Sequence, residues 1–246
     1  MAYNKPLTCD ELFDIATRRN PQNNVQDFVC SIFGHNPDMD PEEFKKLLMR
    51  LVTEYEFDIS ADNNKIIQHC HRCSPEIVSY LIELGADIHS NNDELFYNAC
   101  EHNNINLVKF LLQYVDLSKN NRALGPCVLH DDIELVNILL QVGIDPNYND
   151  TEALMISCCN QRNYEITKLL LEYGANVNAR DDTALARAAL YRENDIIELL
   201  LSYGANIACF ARQEATDNAK DLRKTYDLLI SAGVDPFVIT LIYAKN

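Results

Sequence analysis

The sequence predicts an all-α fold, a solenoid of stacked helix-turn-helix units, and two observations predict it. The first is a ten-residue stretch that recurs along the chain. Its copies lie at residues 80–89, 138–147, 169–178, 199–208 and 228–237, with a shortened copy at 110–117. The second is that five of the seven glycines hold one position within these copies, at separations of 58, 31, 30 and 29 residues. A period of about thirty residues indicates supersecondary units that stack on one another.

The glycine of each copy predicts the end of a helix. In the copy at residues 169–178, Leu169, Leu170 and Leu171 end a run that places apolar residues at i, i+3 and i+4 from Ile166. Gly174 follows this run, and a glycine there adopts the left-handed conformation at little steric cost. We therefore expect each unit to close with a helix stop and a tight turn.

Residues 1–60 lack the clear repeat but have a helical pattern. Thr8 is a candidate helix cap, and Asp40 followed by Pro41 and two glutamates is a strong helix start. Asp58 and Ile59 lie 29 residues before Asp87 and Ile88. We interpret residues 1–60 as a helical N-terminal cap containing a degenerate first unit from about residue 22. The alternative is a separate small domain.

Residues 61–237 read as repeated pairs of helices, and the cleanest pair spans residues 182–201. Its opening, Thr183-Ala-Leu-Ala-Arg-Ala-Ala189, resembles the Thr-Pro-Leu-His-x-Ala-Ala opening of an ankyrin repeat. The Gly-Ala-Asn-Ile at residues 204–207 resembles the end of that repeat. The resemblance covers about residues 61–237, and the chain is most similar to the short, Asn-rich ankyrin proteins of large DNA viruses that infect amoebae.

The chain departs from the family pattern between its units. The proline and histidine of the opening are absent, and the units run about 28–31 residues. The missing residues fall at Asn91-Asn92, Asn120-Asn121 and Asn149-Asp150. We therefore expect plain loops where the family has hairpin fingers.

The composition excludes several classes of function. A formal net charge of −16 disfavours binding to nucleic acid and favours neutral or basic partners. Residues 1–10 carry no apolar signal-peptide core, and the apolar run at 237–244 is too short to span a membrane. We expect a cytoplasmic monomer, in the host cell cytoplasm if the protein is viral.

The nine cysteines suggest packing residues with reduced thiols. When the repeats are aligned, five of them hold the positions of the small residues Ala188 and Ala189. These are Cys70, Cys100, Cys127, Cys158 and Cys159. The cluster His69-Cys70-His71-Arg72-Cys73 has the spacing of a metal-ligand pair, but no second Cys-x-x-Cys completes a site. The sequence therefore predicts no metal and no cofactor.

Residues at the ends of the first helices are the candidate binding residues. They are Tyr97, His71, Arg72, Glu101, His102, Leu129, His130, Asn160, Gln161 and Tyr191. The ankyrin resemblance implies that this edge lines a concave groove in which family members bind proteins. The other interpretation is that these are ordinary solvent-facing residues.

These observations predict a non-enzymatic protein-binding scaffold with a host or viral protein as its partner. No Ser-His-Asp or Cys-His pairing recurs in the repeats, so catalysis is not predicted. An alternative is an adaptor that recruits host ubiquitin ligase machinery through residues 1–60, because residues 6–15 faintly resemble the start of an F-box. At the other end, residues 238–246, with the apolar run that begins at Phe237, are predicted to cap the stack.

Overall fold

A computed structural model describes residues 10–14, 29, 40–159, 163–207 and 223–236. Within these residues the regular structure is helical throughout. The helices are α1 (Pro41–Tyr55), α2 (Ala61–Gln68), α3 (Pro75–Glu83), α4 (Ser90–Glu101), α5 (Ile105–Leu111), α6 (Leu124–Leu129), α7 (Ile133–Gln141), α8 (Tyr148–Ser157), α9 (Tyr164–Glu172), α10 (Ala179–Tyr191), α11 (Asn194–Ser202) and α12 (Arg223–Ser231). Short 3₁₀ turns lie at His69–Arg72, Leu117–Lys119 and Asn121–Ala123.

The chain forms two compact units, the first unit (Met1–Asp116) and the second unit (Leu117–Asn246). Each repeat consists of a first helix and a second helix. Inside each unit, the first helices of neighbouring repeats pack against each other, and so do the second helices. The first-helix pairs are α2 with α4, α6 with α8, and α8 with α10; the second-helix pairs are α3 with α5, α7 with α9, and α9 with α11. Buried side chains such as Phe96, Leu107, Leu154 and Leu170 fill the space between them. Each pair thus buries its apolar face against its neighbours, as a repeat stack requires.

The glycine turns close the second helices as the sequence predicts. Gly174 has φ +88°. Its amide donates to the Leu171 carbonyl at 3.0 Å, and the Ala175 amide donates to the Leu170 carbonyl at 2.9 Å. This pair of bonds is the Schellman motif, and it satisfies carbonyls that the helix end leaves open. The same pair recurs at the other repeat glycines, Gly85, Gly143, Gly204 and Gly233.

Helix α1 begins where the sequence places it. The Asp40 side chain accepts the Glu42 amide at 2.8 Å, and Pro41 occupies the first turn. The helix packs against α3 and ends at Glu56, which takes φ 53° without being glycine. The contact with α3, the second helix of the following pair, places α1 among the second helices. The degenerate first repeat and the boundary of the N-terminal cap at residue 60 stay predictions.

The joining segments differ from the plain loops expected. Asn91, Asn92 and Asp93 take φ values of 53°, 58° and 57°, so they form a short left-handed turn before α4 becomes regular. The same turn occurs at residues 62–64 and 149–151. Asn and Asp hold eight of these nine positions and tolerate the conformation because their side chains bond locally; the ninth is Thr151, with φ 62°. At Asn121–Ala123 the chain makes a 3₁₀ turn instead.

Asparagine side chains tie each turn to the next repeat. In the second unit, Asn147 Oδ1 accepts the Asn176 amide at 2.8 Å, and its Nδ2 donates to the Gly174 carbonyl at 3.0 Å. Asn178 makes the corresponding bonds to Asn206 and Gly204, at 2.8 and 3.1 Å. The backbone of one turn is therefore satisfied by a side chain of the preceding turn.

Several sequence predictions fall outside the described residues. They are the helix cap at Thr8, the C-terminal cap at 238–246, half of the F-box-like segment at 6–15, and the candidate residues Asn160 and Gln161. Among the helices that the structure describes, none has the length and apolar character needed to cross a membrane.

Candidate functional site

In the first unit, the candidate residues lie at the ends of the 3₁₀ turn His69–Arg72 and of helix α4. Arg72 and His102 are exposed, whereas His71 and Glu101 are half-buried. Tyr97, one turn earlier on α4, is also half-buried. The structure thus places all five first-unit candidates on two neighbouring first-helix elements, which pack against each other.

His71 and His102 stack on each other. Their ring centroids are 4.1 Å apart, and the ring planes are tilted by 39°. His102 Nδ1 lies 2.9 Å from the Asn98 carbonyl oxygen. Because a carbonyl can only accept, Nδ1 carries the hydrogen, and Nε2 bears the lone pair of the neutral ring. Burial, followed by the charge of His102, lowers the pKa of His71 to about 4.

Asn104 fixes the backbone beneath this pair. Its Nδ2 donates to the carbonyls of His71 and Cys73, at 3.1 and 3.0 Å. Its Oδ1 accepts the Leu107 amide at 3.2 Å and caps α5. One side chain therefore joins the end of one repeat to the start of the next second helix. The sequence does not reveal this role, because an asparagine before a helix predicts only a cap.

In the second unit, the same edge is more apolar. Leu129 is 68% exposed at the end of α6, and His130 follows it into solvent. Tyr191 is 53% exposed at the end of α10, beside Leu190 at 42%. Leu190 was not among the predicted residues, although it holds the repeat position of Leu129. The ends of α6 and α10 therefore both present large apolar side chains to water.

The first helices end in a second kind of left-handed turn. Asn103, Asp131 and Arg192 take φ values of 57°, 60° and 62°. Each directly follows a candidate residue: His102, His130 or Tyr191. The amides of Asp131 and Asp132 return to the carbonyls of Val128 and Cys127, at 3.1 and 3.0 Å. The candidate side chains thus sit at fixed positions on closed helix ends.

The cysteines of the repeats lie mostly in the core. Cys70, Cys100, Cys127 and Cys158 are each at most 1% exposed, as the packing interpretation expects. Cys70 Sγ donates to the Ile66 carbonyl at 3.2 Å. Cys159 differs, because it is half-buried and lies 3.5 Å from the Arg187 guanidinium. Across the described residues, no three His, Cys, Asp or Glu side chains are placed to hold a metal ion.

The clefts on the second helices are lined by other residue types. One, of about 450 Å³, lies along α9 and α11 and is lined by Tyr164, Asp195, Glu198, Leu199 and Ser202. Another, of about 360 Å³, lies in the first unit along α1 and α3. Both lie on faces other than the first-helix ends that carry the candidate residues.

Comparison with known proteins identifies the repeats. A family model described as ankyrin repeats matches in three copies, at residues 66–150 and 124–211. The chain is 24% identical over 185 residues to an ankyrin repeat protein of Acanthamoeba polyphaga mimivirus. That match covers 72% of this chain and 51% of the viral protein, so it spans about half of the relative's length.

A solved structure carries the same fold. A crystal structure of an ankyrin repeat domain from Acinetobacter baumannii aligns with a TM-score of 0.55 at 22% identity. The alignment covers 72% of this chain and 98% of that domain. The predicted fold class, an all-α solenoid of ankyrin-like units, is confirmed, and so is the predicted resemblance.

Proposed function

This chain belongs to the ankyrin-repeat family, and we propose that it is a non-enzymatic scaffold that binds a partner protein through the groove at the ends of its first helices. Ankyrin repeats are in general modules for protein–protein interaction. Fold alone does not assign a function, so the proposal needs a feature of this chain's own surface.

The exposed apolar edge of the second unit is the observation that carries the proposal. Leu129 and Tyr191 are 68% and 53% exposed, although burying the apolar surface of either side chain would be favourable. Aromatic and aliphatic anchors of this kind are the residues on which protein interfaces depend most. Their positions on closed helix ends also limit the entropy lost on binding.

The remaining parts of the proposal concern the partner and the setting. We place the protein in the cytoplasm, as a monomer, with a host or viral protein as its partner. The mimivirus relative supports a viral source and an amoebal host. The net charge of −16 argues against nucleic acid as the ligand.

Site-specific photo-crosslinking tests the proposal. A benzophenone amino acid replaces Tyr191 in the full chain, and the matched control replaces Tyr203, which is 42% exposed at the end of second helix α11. Both variants are incubated with amoebal lysate, irradiated and analysed by mass spectrometry. We expect a discrete crosslinked protein from position 191 and none from position 203.

Two outcomes would count against the proposal. Equal crosslinking from both positions would indicate nonspecific contact with the tyrosine side chains. Recovery of ubiquitin ligase scaffold proteins with both variants, without a crosslink at position 191, would favour the alternative in which residues 1–60 recruit that machinery.

A further inference from the structure

The first-helix edge of the first unit carries Arg72 directly after His71, whose ring stacks on that of His102. Elsewhere in this unit, Lys45, Lys46 and Arg50 are engaged in ion pairs with glutamates of α1, at 3.2, 2.7 and 3.0 Å. Arg72 is exposed, and in the described part of the chain its guanidinium has no carboxylate partner. It directly follows His71 in the chain, and its charge is among the lesser causes that lower the pKa of His71.

The stacked pair cannot easily carry two charges. With ring centroids 4.1 Å apart, two imidazolium ions would repel each other. An anion against the pair would offset this repulsion and favour protonation. His102 Nε2 bears a lone pair in the neutral ring, because Nδ1 donates to Asn98. This nitrogen must therefore gain a proton before it can donate to an anion.

Other charged groups belong to the same surroundings. His69 lies on the turn itself, and Glu101 precedes His102 on α4. The helices next to the turn contribute a few more: Asp62 and Lys65 on α2, Asp93 and Glu94 on α4, and Lys109 on α5. Of these acids, Glu101 is the one directly next to His102 in the sequence. Glu101 is half-buried, and its negative charge repels anions, which limits how many anionic groups the edge can bind.

We propose that the edge formed by Arg72, His71 and His102 binds an acidic segment of the partner protein, with Arg72 holding a carboxylate and the histidine pair taking up a proton as it binds. Arginine suits this role because its planar guanidinium can bond both carboxylate oxygens. The rest of the acidic chain does not prevent such binding, since screening at physiological salt confines charge effects to about 8 Å. The proposal rests on the scaffold function proposed above and specifies the chemistry of its ligand.

Proton linkage sets the sign of the pH dependence. In the free protein the pKa of His71 is held at about 4, so the pair is not doubly charged near neutral pH. A bound carboxylate favours a positive charge on the stacked rings, and binding therefore takes up a proton. Affinity must increase as the pH falls through the range in which the complex is protonated and the free protein is not.

Fluorescence anisotropy with a defined peptide tests this inference. The probe is a rhodamine-labelled peptide of alternating Asp, Glu and Ser, and its control replaces the acids by Asn and Gln. For the wild-type full chain we expect selective binding of the acidic peptide, tightening about five-fold or more from about pH 8 to about pH 6. Arg72→Gln should weaken binding at every pH. His102→Gln should remove most of the pH dependence.

His130→Gln is the matched control, because His130 is an exposed histidine at the end of a first helix in the second unit. It should leave binding of the acidic peptide unchanged. Arg72 and His102 are exposed, so their variants should unfold at the wild-type urea midpoint, which circular dichroism checks.

Three results would overturn the inference: equal affinity for the acidic and neutral peptides, an unchanged pH profile in His102→Gln, or an effect of His130→Gln as large as that of His102→Gln. A crosslink at position 191 together with any of these would leave the scaffold function standing. The absence of that crosslink, with selective and pH-dependent peptide binding, would instead remove the proposed apolar anchor.

Discussion

The same substitution, to alanine, should have different effects at Gly174 and at the nearby exposed residue Glu172. Gly174 has φ +88°, and a Cβ built on it meets no atom within 4 Å. The cost of Gly174→Ala therefore comes from the left-handed backbone alone, roughly 1–2 kcal/mol of destabilisation. Glu172 is the exposed last residue of α9 and is the matched control. Glu172→Ala should change the stability by less than about 0.5 kcal/mol, because alanine is at least as good a helix former at an exposed position.

Urea unfolding followed by circular dichroism measures both changes. The two residues belong to the same compact unit, so they report on the same transition. We expect a lower midpoint for Gly174→Ala and a midpoint near the wild-type value for Glu172→Ala, with the wild-type slope in both. Gly174→Val should cost more than Gly174→Ala, on the order of 1–3 kcal/mol, because a β-branched residue resists positive φ. If Gly174→Ala left the midpoint as unchanged as Glu172→Ala does, the helix-stop argument would be refuted.

Three further predictions concern other parts of the repeat. Asn178→Ala removes two side-chain hydrogen bonds to the next turn and should lower the free energy of unfolding in urea by roughly 1–2 kcal/mol. Asn106→Ala, on the exposed surface of α5, should change it by less than about 0.5 kcal/mol. Equal effects would contradict a structural role for the asparagines that bond to the next turn. Burial raises the pKa of Cys158 to about 12. Iodoacetamide labelling of the folded protein near pH 8 should therefore be slow at Cys158 and faster at half-buried Cys159. Equal rates would count against the packing interpretation. Deleting residues 237–246 should lower the melting temperature and promote oligomers; a truncated protein that stays monomeric and stable would show that this segment is not a cap.

The fold could be predicted because its determinants are local and repeated. A glycine after an amphipathic run specifies a helix stop without knowledge of the rest of the chain, and Gly174 does so as expected. The start of α1 could be predicted in the same way, since Asp40 and Pro41 act within one helical turn. The period then implied stacking, because each pair of helices has an apolar face to cover.

The joining turns could not be predicted in the same way. Asn91, Asn92 and Asp93 have the composition of a loop, and a sequence gives no sign that three successive residues will adopt positive φ. Their conformation depends on where the neighbouring helices lie. Asn64 illustrates this dependence, because its side chain accepts the Asp87 amide 23 residues away at 2.9 Å.

The sequence predicts where the candidate site residues lie in the repeats, but not which contacts they make with one another. The repeat alignment located His71 and His102 at the same edge, whereas their ring stacking depends on how two repeats pack. The lowered pKa of His71 follows from that packing, since burial is its main cause. The exposure of Leu190 could have been found by extending the alignment from Leu129.

Hydrogen–deuterium exchange of the complex tests the central claim most directly. With the crosslinked partner identified and purified, exchange of the full chain is compared with and without it. We predict protection at the ends of the first helices, at residues 68–74, 97–104, 126–132 and 187–193, with the second helices unchanged. Protection confined to second helices α7, α9 and α11, or to residues 1–60, would contradict a scaffold that binds through its first-helix edge.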